Sequence, residues 1–207
     1  MNQFLEVVQR YGWRSPIVVV VIALGRISSA VNVLYTLWLR LVTTGSKGAC
    51  IEFGRRIRIT PGSFVELGNK VHLGDNVVLE IGVNPRAQLR VASNSWISHD
   101  CHILCLQRVE IGANVLIGDF VSIRDSTHQF GDTDVPIKAQ GDIYGSIVVE
   151  DNVWIGRGCL IQGKPGAIVI GSGAVVAANS VVSNSIPRFE VWGGTPAKFI
   201  RRRMPKT

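Results

Sequence analysis

The sequence predicts an all-β protein, a parallel β-helix of stacked three-sided coils, and three observations predict it. Aliphatic residues recur every six positions, glycine commonly follows them, and aromatic residues are scarce. Of 207 residues, 46% are hydrophobic but only 7% aromatic. Burial must therefore come from Val, Ile, Leu and Ala, side chains that suit strands packed in a narrow space. With 18% charged residues and 22 glycines, the composition is not that of a disordered polar chain.

The six-residue frame is read directly. Leu67, Leu73 and Leu79 keep it, as do Ile97 and Ile103, then Ile111, Ile117 and Ile123. Val149, Ile155 and Ile161 continue it, followed by Ile170, Val176 and Val182. A second small or apolar residue stands four positions after most anchors: Val71, Val77, Val83, Cys101, Val115, Val121, Val153, Cys159, Ala174 and Ser180. A helix repeats about every 3.6 residues and a plain strand about every two, so neither fits. A short strand followed by a tight corner does, and three such units close one coil of about eighteen residues. Glycine after the anchor, as at Gly68, Gly74, Gly112, Gly118, Gly156 and Gly171, is read as permitting the tight backbone of the corner. Stacked coils form parallel ladders about 4.8 Å apart, and stacking buries what a single coil could not.

The frame breaks in three places. Between Ile103 and Ile111 it slips by two residues, and between Ile161 and Ile170 three residues are extra, within Gln162 to Gly166. Between Ile123 and Val149 it stops. The polar stretch 124–146 holds Asp125, His128, Asp132, Asp134, Pro136 and Lys138, and is read as a loop extruded from a corner. Long loops on a regular scaffold are commonly functional. The chain thus divides into an apolar, amphipathic helical segment (1–45), the β-helix with its loop (46–187) and a short basic C-terminal segment (188–207).

The net charge of +7 is uneven. Arg10, Arg14, Arg26 and Arg40 stand near one end, and Arg201, Arg202, Arg203 and Lys206 at the other. Basic ends suit an anionic membrane face or a phosphorylated cofactor. Nucleic acid is not expected, because no nucleic-acid motif accompanies the charge. Residues 16–42 are apolar, but Arg26 near their middle would cost about 2.5–3.5 kcal/mol within a bilayer. A helix lying on the inner membrane face, or docked on the β domain, fits better than a span. Cys50, Cys101, Cys105 and Cys159 show no disulfide framework, which points to a reducing, cytoplasmic compartment.

Residues 46–203 resemble the hexapeptide-repeat acyltransferases, above all the galactoside, maltose and bacterial polysaccharide O-acetyltransferases. The resemblance rests on "VEIGANVLIGDFVSIRDSTH" (109–128), "NVWIGRGCLI" (152–161) and "GGTPAKFIRRR" (193–203). It implies a left-handed β-helix, a homotrimer with sites between subunits, and acetyl-CoA as acyl donor. The acceptor it implies is a hydroxyl of a sugar or a lipid-linked polysaccharide precursor. The hand comes from the resemblance alone, since general crossover rules favour the opposite one.

Acyl transfer needs a base for the hydroxyl proton, donors for the tetrahedral oxyanion, and a cleft for the pantetheine arm. A neutral imidazole suits the base role, and the resemblance places it at His128, where the frame breaks. Asp125 either orients that imidazole, contacts the acceptor or makes a local turn. Asp100 aligns where sugar acetyltransferases carry an Asn that contacts substrate or oxyanion; an ionised Asp cannot donate a hydrogen bond. Trp154 is outward-facing and either walls the pantetheine cleft or packs on a neighbouring subunit. The resemblance also assigns Arg157, Ala178, Ser183, Asn184, Lys198 and Arg201 to the cofactor. Ser183 and Asn184 stand where the family has a Thr-Lys pair, so one lysine is missing there. No metal is expected. Two other readings fit the sequence less well: a β-helix scaffold without catalysis, and a carbonic-anhydrase-like metalloenzyme using His99 and His102.

Overall fold

The computed structural model describes residues 51–60, 64–82 and 86–204. The helical segment expected over 1–45, its apolar run 16–42, Cys50 and Val83 lie outside the described residues. Among the described residues twenty strands follow one another. The first ten are β1 (Glu52–Phe53), β2 (Arg58–Ile59), β3 (Phe64–Leu67), β4 (His72–Leu73), β5 (Val78–Ile81), β6 (Gln88–Val91), β7 (Trp96–Ile97), β8 (His102–Cys105), β9 (Arg108–Ile111) and β10 (Leu116–Ile117). The rest are β11 (Ser122–Arg124), β12 (Ser126–His128), β13 (Asp142–Val149), β14 (Trp154–Ile155), β15 (Leu160–Gln162), β16 (Gly166–Ile170), β17 (Val175–Val176), β18 (Val181–Val182), β19 (Glu190–Gly194) and β20 (Ala197–Arg202). A single 3₁₀ turn, Ile137–Ala139, is the helical element among the described residues.

The strands stack into three sheets, the faces of a triangular solenoid. Face A runs β1-β4-β7-β10-β14-β17-β19-β20, and face B runs β2-β5-β8-β11-β15-β18. Face C runs β3-β6-β9-β13, with β12 and β16 both joined to β13. Coil-to-coil pairing is parallel throughout, as in Leu116↔Trp154 and Ile123↔Ile161. The antiparallel pairs are the hairpins β12–β13 and β19–β20.

All fourteen anchors point inward, and none is more than 2% exposed. Their described partners four positions on, Val71 to Ser180, are each at most 1% exposed. Ser180 is polar in this column, and its hydroxyl is satisfied by donating to the Ala177 carbonyl (2.6 Å) and accepting from Gly194 N–H (3.0 Å). Burying aliphatic side chains so completely is the dominant stabilisation of such a stack.

The glycines after the anchors have a different task from the one expected. The corners turn through left-handed residues three positions after an anchor: Asn76, Asp100, Phe120, Gly158 and Asn179 on one edge, with φ between 57° and 70°. The glycines instead let the next coil approach. A Cβ on Gly68 would lie 2.6 Å from Ser93 N, and one on Gly156 2.6 Å from Ala178 N. Such contacts are closer than packed atoms tolerate.

The stretch 124–146 is also more regular than a loop. β12 and the start of β13 form a hairpin, closed by a hydrogen bond from Gln129 N–H to Gly141 O at 2.9 Å. The true excursion is 129–141. Gln140 braces it from within, its side chain bonding to Asp132 and to the Val135 carbonyl. The C-terminal segment likewise is no loose tail. β19 pairs with β17, and β20 folds back on β19 to close the end of face A.

Candidate active site

His128 ends β12 and stands opposite Asp142, the first residue of β13. Its Nδ1 lies 2.6 Å from Asp142 Oδ1. An ionised carboxylate only accepts, so Nδ1 carries the hydrogen and donates it. Nε2 then holds a lone pair, and the imidazole side chain is 78% exposed. The hairpin therefore presents a hydrogen-bond acceptor of basic character to whatever enters from solvent. Asp142 was not singled out from sequence; the pairing depends on strand register across fourteen residues. Gly141, with φ of 84°, marks the neck of the hairpin and is the local signal that could have exposed it.

Asp125 is not the partner of His128. It is fully buried, and its carboxylate accepts three backbone N–H groups, from Leu106 (2.8 Å), Gln107 (2.7 Å) and Arg108 (2.8 Å). These amides belong to the corner where the frame slips by two residues. Asp125 thus holds a turn, as one reading allowed, but a turn of the preceding coil.

Five of the residues assigned to the cofactor, Trp154, Arg157, Ala178, Lys198 and Arg201, lie on face A or on its edge with face B. Trp154 stands outward on face A, 52% exposed. The row Trp96, Leu116, Trp154, Val175, Val191 runs through it. Arg201 pairs with Val191, and Lys198 with Gly193, which continues the row into β20. Arg157 lies in the A–B corner, its guanidinium 5.0 Å from the Phe120 ring centre. Ala178 occupies the same corner one coil further and is exposed. Asp100 lies on this edge too, where its carboxylate accepts from Asn76 Nδ2 at 2.7 Å.

His128, Asp142, Ser183 and Asn184 belong to the opposite edge of face B, between faces B and C. A single chain therefore does not bring His128 to Trp154. A groove of about 790 Å³ lies elsewhere again, lined by Glu66, Arg90, Glu110, Val148 and Glu150, and includes none of these residues.

The other histidines are occupied. His72 stacks on Trp96 at 3.6 Å and bonds Glu52, His102 bonds Glu80, and His99 Nδ1 accepts from Asp75 N–H. No group of three residues suited to a metal occurs among those described. The cysteines are inward: burial pushes Cys101 up to about 11 and Cys105 up to about 12, and raises Cys159.

An exposed imidazole held by a carboxylate thus stands on a parallel solenoid whose long outward row ends in cations. No family model matches the chain. It is 30% identical over 150 residues to WbbJ of Escherichia coli, assigned to lipopolysaccharide biosynthesis as an O-acetyl transferase, covering 67% of this chain and 75% of that one. An assigned acetyltransferase of Mycobacterium tuberculosis is 31% identical over 152 residues, 72% of this chain, which spans 48% of that protein's length. A hexapeptide-repeat-containing acetyltransferase of Vibrio cholerae, solved with acetyl coenzyme A, superposes with a TM-score of 0.61 at 25% identity, covering 91% of this chain and 86% of that one. The chain belongs to the hexapeptide-repeat acetyltransferases, whose fold is the β-solenoid of the left-handed type.

Proposed function

We propose that the chain moves the acetyl group of acetyl-CoA to a hydroxyl of a sugar or lipid-linked polysaccharide precursor, with His128 as general base. The observation that carries this reading is the His128–Asp142 pair, which leaves Nε2 free. The acceptor hydroxyl donates to Nε2. As its oxygen bonds to the thioester carbon, the proton passes to Nε2, and Asp142 stabilises the imidazolium. The tetrahedral oxyanion then collapses, the carbon–sulfur bond breaks, and the departing CoA thiolate takes the proton back. A positioned base of this kind is worth about 10²–10⁴ in rate.

The separation of His128 from Trp154, Arg157 and Ala178 supports a site shared by two chains, the hairpin of one facing the A–B edge of another in a homotrimer. Lys198 and Arg201 lie on the same face as Trp154, as cations for the CoA phosphates would. No helix among the described residues is long and apolar enough to cross a membrane. Work at the cytoplasmic face of the inner membrane, through residues 1–45, is part of the proposal, and cell fractionation tests it. The central experiment is an acetyl-CoA transfer assay over a panel of sugars and lipid-linked sugars. Transfer to one class by the wild type, lost in His128→Ala, is the expected result. Full activity of His128→Ala would refute the base.

A further inference from the structure

The corners between faces A and B repeat one backbone shape, and one residue among them is out of place. Coil by coil, each corner turns through a residue with positive φ: Arg56, Asn76, Asp100, Phe120, Gly158 and Asn179. Glycine has no Cβ to clash in this conformation, and Asn and Asp bond locally to the backbone, so these residues suit it. A bulky ring there is an outlier, and its strain persists only where the surroundings offset it. Arg56 has such an offset: its Nε donates to Asn76 Oδ1 at 2.7 Å. Phe189, also with positive φ, has another. Its ring covers Gly173, where a Cβ would meet it at 2.5 Å.

Phe120 has a different partner. Its φ is 58° and its side chain stands outward, 52% exposed. The Arg157 guanidinium of the next coil lies over the ring, 5.0 Å from its centre. Arg157 makes no ion pair among the described residues. Asp119, beside Phe120, is close enough to feel the Arg157 charge, but its carboxylate is committed to the Ser98 hydroxyl and the His99 N–H. The Phe120 ring is therefore the contact that sets the direction of the guanidinium. It holds the cation by its face and leaves the five N–H donors at the ring's margin free to bond elsewhere.

We propose that Phe120 is a positioning residue, whose ring, kept in a strained corner, holds the Arg157 guanidinium in place on the edge between faces A and B. The proposal rests on the reading above, in which that edge receives acetyl-CoA. An exposed arginine otherwise samples many rotamers, and ordering it on binding weakens affinity. Holding it beforehand removes that loss. The corner gives up stability to do so, and this sets the role apart from packing: replacing the ring should loosen the ligand without loosening the fold.

The test is calorimetric titration of the full chain with acetyl-CoA, together with thermal unfolding, for the wild type, Phe120→Asn, Phe120→Tyr, Arg157→Ala and Phe120→Asn/Arg157→Ala. Phe120→Asn is expected to bind acetyl-CoA about two- to five-fold more weakly, with a melting temperature equal to or above that of the wild type. Phe120→Tyr keeps the ring and should bind as the wild type does. Arg157→Ala should lose at least as much affinity as Phe120→Asn, and adding Phe120→Asn to it should cost nothing further. Unchanged affinity in Phe120→Asn or in Arg157→Ala overturns the proposal. So does a full further loss in the double variant, because the ring would then act without the arginine. A melting temperature that falls with the affinity in Phe120→Asn overturns it too, since the ring would then be a packing support. A wild type that binds no acetyl-CoA would remove the donor reading itself, and this proposal with it.

Discussion

His128 and Asp142 face one another across the two strands of a hairpin, joined through Nδ1 and Oδ1 at 2.6 Å. Cross-strand register, not proximity in sequence, sets this pair. It fixes the imidazole tautomer and its direction. Asp142→Asn leaves a side chain of the same shape that can instead donate to Nδ1, which favours the wrong tautomer. We expect kcat to fall by about ten-fold or more, with the acetyl-CoA KM unchanged. Nitrogen-15 NMR of the His128 ring should report the tautomer shift directly. His128→Ala should lower turnover at least about a hundred-fold while CoA binding, read by calorimetry, persists.

Asp125 should behave as a structural residue. Asp125→Ala leaves three backbone N–H groups without their acceptor, at about 1 kcal/mol or more each. Thermal unfolding should then drop by about 2–4 °C per kcal/mol in a chain of this size. Asp125→Asn keeps one acceptor oxygen and should lose less. Its kcat, measured well below the transition, should match the wild type; a large fall in kcat would mean that Asp125 acts on the chemistry.

Gly145 has no room for a side chain. Its Cβ would fall 2.0 Å from Lys164 O and 2.9 Å from Gly166 O, both backbone atoms. Gly145→Ala must push the segment 162–166 and the hairpin apart. A destabilisation of about 1–3 kcal/mol or more is expected from thermal unfolding. Gly131, on the excursion, meets nothing within 4 Å, and Gly131→Ala should leave the melting temperature unchanged.

The inward thiols should be unreactive in the native protein. With Cys101 near 11 and Cys105 near 12, only about a thousandth or less of each is thiolate at pH 8. Because burial favours the neutral thiol, labelling should rise only as pH climbs toward those values. In a Cys50→Ser background, a thiol reagent at pH 8 should label none of the three before denaturation and all of them after it.

The solenoid was legible because burial itself writes the six-residue frame, and every described anchor from Leu67 to Val182 lies inside. The role of Gly68 and Gly156 was not, since the atoms they make room for lie on the next coil, about twenty residues away in sequence. The β19–β20 hairpin could have been read from Gly193 to Pro196, a turn composition between Val191–Trp192 and Phe199–Ile200. His128 was marked by the interrupted frame. Asp142 carried no such mark, because its importance comes from the strand opposite. Asp125 drew attention as a neighbour of His128 in sequence, yet it sits between β11 and β12 with its carboxylate turned inward to three backbone N–H groups.

The bond between Gln129 N–H and Gly141 O draws the two ends of the excursion together at a neck. Whatever lies beyond that neck can grow or shrink without moving the coils, and each doubling of its length costs only about 0.6 kcal/mol in chain entropy. Insertions and deletions among relatives should therefore concentrate between 130 and 140, while the stacked turns on either side keep their length. Evolution has one adjustable dial here, mounted on a ruler that cannot stretch.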